Sequence, residues 1–168
     1  MPVTIDFDWD LIKRKLRSEY RLSPEEVILL LLSFGRVIGR TQLQKEVFIA
    51  SREVLLDFAG DLLYHPDKFG PYSGLVAVAA KKLQNMGMVS VSPKGEGHST
   101  YFITESGLRY LGEVLGRANI PKHLLDELKR RKANWDEWDT TGITTYVYRK
   151  YPEYATKTKI PRLKWEST

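Results

Sequence analysis

The sequence predicts an α+β fold, mainly α-helical, with a two-stranded hairpin and a helical C-terminal extension. Apolar residues recur at three- and four-residue spacing in several segments, which is typical of amphipathic helices. Two short alternating segments flank a turn that contains glycine and proline, which is typical of a β-hairpin. A chain of 168 residues, 42% of them hydrophobic and 28% charged, is long and apolar enough to bury a core.

The same pattern divides the chain into three predicted parts. Residues 1–22 hold an amphipathic helix, predicted over residues 8–20. Residues 23–116 form the core domain. Residues 117–168 form a basic, aromatic-rich extension, which we expect to pack on the core or on a dimer partner.

The first two helices of the core domain are marked by their N-terminal residues. Ser23 is suited to cap a helix, Pro24 fits the first turn, and Glu26 can reach back to the capping amide. The apolar run over residues 27–34 makes this helix the most buried of the predicted fold. Thr41 is the predicted cap of the second helix. The apolar stripe of the second helix consists of Leu43, Val47, Ala50, Val54 and Phe58.

A loop, a third helix and the hairpin complete the core domain. Residues 60–72 contain two prolines and predict a long loop. Ser73 is the predicted cap of a third helix that ends near Met86. Residues 88–92 and 99–103 predict the two strands of the hairpin.

The third helix has two predicted faces, assigned at about 100° per residue. The face predicted to lie in the core holds Leu75, Val76, Ala79, Leu83 and Met86. The opposite face, with Lys82 at its edge, holds Gly74, Ala77, Val78, Lys81, Gln84 and Asn85. Small residues in its early turns would let the backbone of this helix approach a phosphate or a partner closely.

Three local motifs accompany this order of elements. They are GRTQLQK at residues 39–45, FGPYS at residues 69–73 and YFITESG at residues 101–107. With helices followed by a hairpin and another helix, the chain resembles the winged-helix fold, a helix-turn-helix variant whose hairpin is the wing. The first two motifs are also similar to Panacea-type antitoxin domains and their uncharacterised prokaryotic relatives.

The resemblance implies a binding protein that is not an enzyme, and we expect a transcriptional regulator that binds double-stranded DNA. In that interpretation the third helix approaches a groove, its N-terminal amides attract phosphate, and the wing contacts the backbone. A basic run in the extension adds nonspecific attraction. The predicted DNA-binding residues are Ser73, Gly74, Lys81, Lys82, Gln84 and Asn85 in the helix, Lys94 and His98 in the wing, and Lys129, Arg130, Arg131 and Lys132 in the basic run.

The net charge of +5 is distributed unevenly along the chain. Residues 1–116 contain 14 Lys or Arg and 14 Asp or Glu, whereas residues 117–168 contain 12 and 7, so the whole excess lies in the extension. A basic excess favours a polyanionic partner, although a solvated basic surface kept for solubility has the same composition.

Two other binding functions stay open at this stage. A protein-interaction module, similar to an antitoxin, would use the same helix face or the aromatic extension. RNA binding would use the basic, aromatic extension. A continuous basic stripe on the folded protein would favour nucleic acid, and an exposed apolar patch without such a stripe would favour a protein partner.

Aromatic residues cluster in the extension. Seven of the 19 aromatic residues fall within 31 positions, which predicts an ordered segment because disordered tails are poor in aromatic residues. A helix opened by Pro121 and a second, shorter helix ending near Lys150 are predicted here. The seven residues are Trp135, Trp138, Tyr146, Tyr148, Tyr151, Tyr154 and Trp165.

Catalysis and cofactor binding have little support in the sequence. The chain has no cysteine, its three histidines have no metal-ligand spacing, and no glycine-rich phosphate loop is present. The run Tyr64-His65-Pro66-Asp67 offers an acid–base pair but is typical of a locally bonded turn. We expect no cofactor, no metal, no membrane segment and a cytoplasmic protein, with a homodimer as one possible assembly.

Overall fold

The computed structural model describes residues 8–9, 21–93, 99–138 and 140–161. The helix predicted over residues 8–20 falls almost wholly outside these ranges. The predicted wing residues Lys94 and His98 and the aromatic residue Trp165 also lie outside them. Over the described residues, the prediction of an α+β fold that is mainly helical is confirmed.

Helix α1, Pro24–Leu32, lies at the centre of the core. Its predicted start is confirmed, because the Ser23 hydroxyl accepts from the Glu26 amide and the Ser23 amide donates to the Glu26 carboxylate at 2.8 Å. Every residue from Glu26 to the end of α1 is buried, so other elements surround this helix.

Helix α2, Arg40–Ile49, continues directly into a π-helical segment, Ala50–Val54. The predicted cap is wrong: the helix begins one residue before Thr41, and Gly39 occupies the cap position with a φ of 97°. Glycine adopts this φ without the clash that a Cβ would create. The apolar stripe predicted from the sequence is buried along its whole length.

Two short strands lie in the segment predicted as a loop. Strand β2, His65–Asp67, pairs antiparallel with strand β3, Gly70–Tyr72, and Pro66 lies opposite Pro71. Strands of three residues carry too little alternation to be recognised, and proline argues against a strand in the sequence.

A three-stranded antiparallel sheet and two helices complete the core domain. Strand β1, Val37–Ile38, precedes α2 in the chain, and helix α3, Gly74–Asn85, precedes strands β4, Val89–Pro93, and β5, Ser99–Ile103. The order of strands is β1-β5-β4, so a short strand that the sequence did not predict covers one edge of the predicted hairpin. Helix α4, Glu105–Ala118, follows the sheet.

The extension packs on the core. Helix α5, Lys122–Glu137, contacts α1 and the π-helical segment. Helix α6, Thr140–Lys150, lies against α2 and is followed by a 3₁₀ turn, Pro152–Ala155. The side chains of Trp135, Tyr148 and Tyr154 are buried as a result. Within the described ranges, no helix is long and apolar enough to cross a membrane.

Candidate functional site

A cleft of about 890 Å³ lies between α3, the β4–β5 hairpin, the first turns of α2 and the β2–β3 hairpin. Residues from four separate segments therefore form one concave surface. Its apolar side chains are Leu43, Phe69, Pro71, Tyr72, Val76, Ala77, Ala80, Val91, Pro93 and Tyr101. Its polar and charged side chains are Arg40, Thr41, Gln44, Asp67, Lys81, Gln84 and Ser99.

A buried hydrogen-bond pair fixes the entry of α3 beside this cleft. The Gln44 amide nitrogen donates to the Ser73 carbonyl, and the Ser73 amide donates to the Gln44 side-chain oxygen, both at 3.0 Å. The Ser73 hydroxyl donates to the Leu62 carbonyl and accepts from the Val76 amide. Ser73 is wholly buried and its polar groups are satisfied, which corrects the prediction that it attracts a phosphate.

The exposed face of α3 is more apolar than predicted. Leu75 and Met86, which the sequence placed in the core, are exposed, and Val78 is 68% exposed. The part of α3 that packs on its neighbours is a narrow stripe of Val76, Ala79, Ala80 and Leu83. The first two turns therefore offer no side-chain hydrogen-bond donor to a base edge, and base reading needs such donors.

The predicted polar residues of α3 lie together in its C-terminal half. Lys81 and Gln84 line the cleft, and Asn85 is exposed. The Lys82 ammonium lies 3.7 Å from a Glu25 carboxylate oxygen and is well exposed, so this ion pair contributes little to stability. Gly74, at the start of the helix, is exposed, with no heavy atom near the position of a Cβ.

The basic run of α5 does not form one patch. Four successive residues spread around a helix at about 100° each, so they face different surroundings. Lys129 and Arg130 are exposed, while Arg131 pairs with Glu53 at 2.6 Å and with Glu127 at 3.3 Å. Lys132 is wholly buried. The prediction that Lys132 attracts phosphate is therefore wrong. Arg131 is a weaker candidate for a phosphate contact, because two carboxylates already share its charge.

Lys132 belongs to an ionic cluster inside the protein. Its ammonium lies 3.1 Å from a Glu46 carboxylate oxygen, donates to the Arg36 carbonyl at 2.8 Å and donates to Asp136. Burial raises the pKa of Glu46 to about 7, even though Lys132 and the hydrogen bond from Gln42 lower it. A carboxyl group with this pKa suits acid–base chemistry, but Glu46 does not line the cleft beside α3.

A second cluster joins the extension to the π-helical segment through Glu53. One carboxylate oxygen accepts from Tyr146 and Arg131, both at 2.6 Å, and from Lys150 at 3.1 Å. The other accepts from Tyr151 at 2.8 Å. Burial opposes ionisation, but these four donors outweigh it and lower the pKa of Glu53 to about 2. A carboxylate held this firmly in its ionised form is a poor general base.

Lys45 is a buried amine beneath the β2–β3 hairpin. It donates to the Thr144 hydroxyl of α6, and burial lowers its pKa to about 8. It does not line the cleft beside α3 either. Among the residues that the structure describes, no group of three or more histidine, aspartate or glutamate side chains is placed to hold a metal ion.

A separate, shallow pocket of about 600 Å³ lies at the junction of α5 and α6. The rings of Trp138 and Tyr146 form its aromatic part, with centroids 5.7 Å apart and planes inclined by 39°. Arg149 and Lys150 complete its rim, and Gly142 and Thr145 form the rest of its lining.

Sequence reasoning identified some of these residues but neither of the two surfaces. Phe69 and Tyr72 are the rings of the FGPYS motif, whose spacing gave no sign that both line a cleft and are exposed. Arg40 carried no signal beyond its place in a motif. No protein-family model, no curated protein and no solved structure matches this chain.

Proposed function

We propose that this chain is a non-enzymatic, cytoplasmic binding module that holds a protein segment in the cleft beside α3. The observation that supports this most is the mixed surface of the cleft, in which exposed aromatic rings lie among charged side chains. Ten of the 17 side chains that line the cleft are apolar, and among them the rings of Phe69 and Tyr72 are exposed. Exposed apolar surface of this kind is typical of protein-binding sites. The resemblance to Panacea-type antitoxin domains points the same way.

The charges around the cleft favour a particular chemistry in the partner. Arg40 and Lys81 are exposed at its lining, and Asp67 is the one acidic residue among its described lining residues. A complementary segment therefore carries an apolar anchor residue for the cleft and acidic residues for the two cations. A second copy of the chain is one such partner if its acidic surface fits.

Ala77→Arg is expected to weaken this binding. The alanine lines the cleft, and the larger side chain would fill space that the anchor residue of the partner needs. The measurement is titration of a synthetic peptide selected from a phage-displayed random library on the natural protein. We expect the selected peptides to share an apolar residue flanked by Asp or Glu. Their affinity for the Ala77→Arg variant should be at least about tenfold lower than for the natural protein.

Gly74→Arg is the matched control, because it adds the same charge to the same helix outside the cleft lining, in open space. It should leave peptide affinity within a factor of about two, the range of ordinary surface substitutions. Equal losses for the two variants, or selected peptides without acidic residues, would contradict the proposal.

Duplex DNA is a second candidate partner. Lys81, Lys82, Gln84 and Asn85 are exposed together in the C-terminal half of α3, where they suit phosphate contacts. If they bind DNA, changing Lys81 and Lys82 to alanine should reduce the slope of log affinity against log salt by about 0.9 per lost contact. An unchanged slope would remove this candidate and leave the peptide proposal standing.

A further inference from the structure

We propose that the pocket formed by Trp138, Tyr146, Arg149 and Lys150 binds a nucleobase with its attached phosphate. This site is separate from the cleft beside α3 and does not depend on the function proposed there. Its ligand is a free nucleotide or one nucleotide of a single strand, which share the same chemistry.

The two rings provide a stacking surface. Trp138 is the C-terminal cap residue of α5, and its side chain is 38% exposed although most other aromatic residues of the extension are buried. The ring of Tyr146 faces it from α6, with a centroid distance of 5.7 Å. Because the planes are inclined by 39°, the rings do not close on each other as a parallel stack. An exposed indole beside a second ring suits a planar ligand.

The pocket is held in shape before any ligand arrives. The Tyr146 hydroxyl donates to Glu53 at 2.6 Å, which fixes the position of its ring. The Trp138 amide donates to the Asn134 carbonyl at 2.9 Å, and the Thr145 hydroxyl donates to the Thr141 carbonyl at 2.8 Å. A preformed site loses little conformational entropy on binding.

The charges at the rim select an anionic ligand. Arg149 and Lys150 lie in the last turn of α6, and no acidic residue is among the described residues that line the pocket. The Lys150 ammonium lies 3.1 Å from Glu53 and 5.6 Å from the centre of the Tyr146 ring, and Arg149 is the second cation at the rim. Rings beside cations match a base joined to a phosphate better than an aliphatic or a cationic ligand.

A single strand fits this site and a duplex does not, since the faces of paired bases are already stacked on their neighbours. The test is fluorescence anisotropy of a labelled oligothymidine of about 12 nucleotides at low salt, with AMP and a duplex of equal length as competitors. Trp138→Ala should raise the dissociation constant roughly five- to a hundredfold, the loss of one stacked base. Trp138→Phe should retain most of the affinity because it keeps an aromatic ring.

Phe102→Ala is the matched control, since Phe102 is 40% exposed and lies on strand β5, outside this pocket. It should leave the dissociation constant unchanged. A second measurement does not depend on whether Trp138→Ala folds. AMP should quench the tryptophan emission of the natural protein, and Trp138→Phe should remove that quench.

The results distinguish a free nucleotide from a single strand as the ligand, and they decide whether the proposal stands. If AMP displaces the labelled oligothymidine at the concentration at which AMP quenches the tryptophan emission, the site binds free nucleotides. If only unlabelled oligothymidine displaces it, the site binds a single strand. Unchanged affinity in Trp138→Ala, an equal loss in Phe102→Ala, competition by the duplex as strong as by the single strand, or no binding of either nucleotide probe would overturn it.

Discussion

Replacing Lys132 by methionine is expected to lower the free energy of unfolding by about 3–5 kcal/mol at pH 8. The substitution keeps the length of the side chain but removes the cation that faces Glu46 at 3.1 Å and Asp136. Glu46 would remain buried, either charged without its partner or protonated at a pH above its ordinary pKa. Both states cost free energy. Urea unfolding followed by circular dichroism measures the loss.

Two controls make this result specific to the ion pair. Adding Glu46→Gln to Lys132→Met removes the stranded charge, keeps a group that can bond to Gln42, and should restore most of the lost stability. The loss should also be smaller at pH 5, because burial already raises the pKa of Glu46 to about 7 and the carboxyl group takes up a proton readily below it. An equal loss at both pH values would mean that Lys132 stabilises the fold through Asp136 and the Arg36 carbonyl and not through the charge of Glu46.

Glu53→Gln is expected to cost about 2–3 kcal/mol at pH 7 and to flatten the acid limb of the stability profile. Burial raises the pKa of Glu53, but the four donors together lower it from the ordinary value of 4.5 to about 2. A group with a depressed pKa in the folded state contributes stability that is present above pH 4.5 and is lost as the pH falls from 4.5 toward 2. Glutamine has the same shape without this titration.

The measurement is the free energy of unfolding of both proteins between pH 2 and pH 7. The difference between them should be largest above pH 4.5 and should shrink toward pH 2. Tyr151→Phe removes one of the four donors without removing the charge and should cost about 1 kcal/mol. A constant difference across this pH range would mean that the four donors do not act on an ionised carboxylate.

The helices could be predicted because their signals are local. Ser23 with Glu26 marks the start of α1, and Ser73 marks the start of α3, through contacts within a few residues of each cap. The strands of the β4–β5 hairpin were equally recognisable from alternation. Strand β1 was not, because two residues carry no pattern and the strand is defined by its partner Tyr101, far along the chain.

What sequence reasoning missed depends on contacts between distant segments. Lys45 and Glu46 lie off the apolar stripe of α2, a pattern that indicates solvent, yet α5 and α6 bury both. For Leu75 the error is the reverse: its position on the helix predicted burial in the core, but no neighbouring element covers it. Helical spacing tells which side chains share a face and cannot tell which faces are covered.

Both candidate surfaces share this limitation. The cleft joins Arg40, Phe69 and Val91 from three elements, and no spacing in the sequence relates them. The pocket at Trp138 was closer to prediction, because the aromatic cluster was visible and only its one open ring needed the structure to be identified.

The burial of Glu53 in the π-helical segment has a consequence during synthesis of the chain. Glu53 leaves the ribosome 78 residues before Arg131 and 98 residues before Tyr151. At roughly 5–20 residues per second, this carboxylate waits on the order of 4–20 s for the groups that will bind it. Until then the carboxylate is exposed to water, on a segment whose apolar residues Ile49, Ala50 and Val54 are not yet covered either. The extension then buries this carboxylate, so one charge keeps its segment hydrated during synthesis and holds the extension to the core in the finished fold.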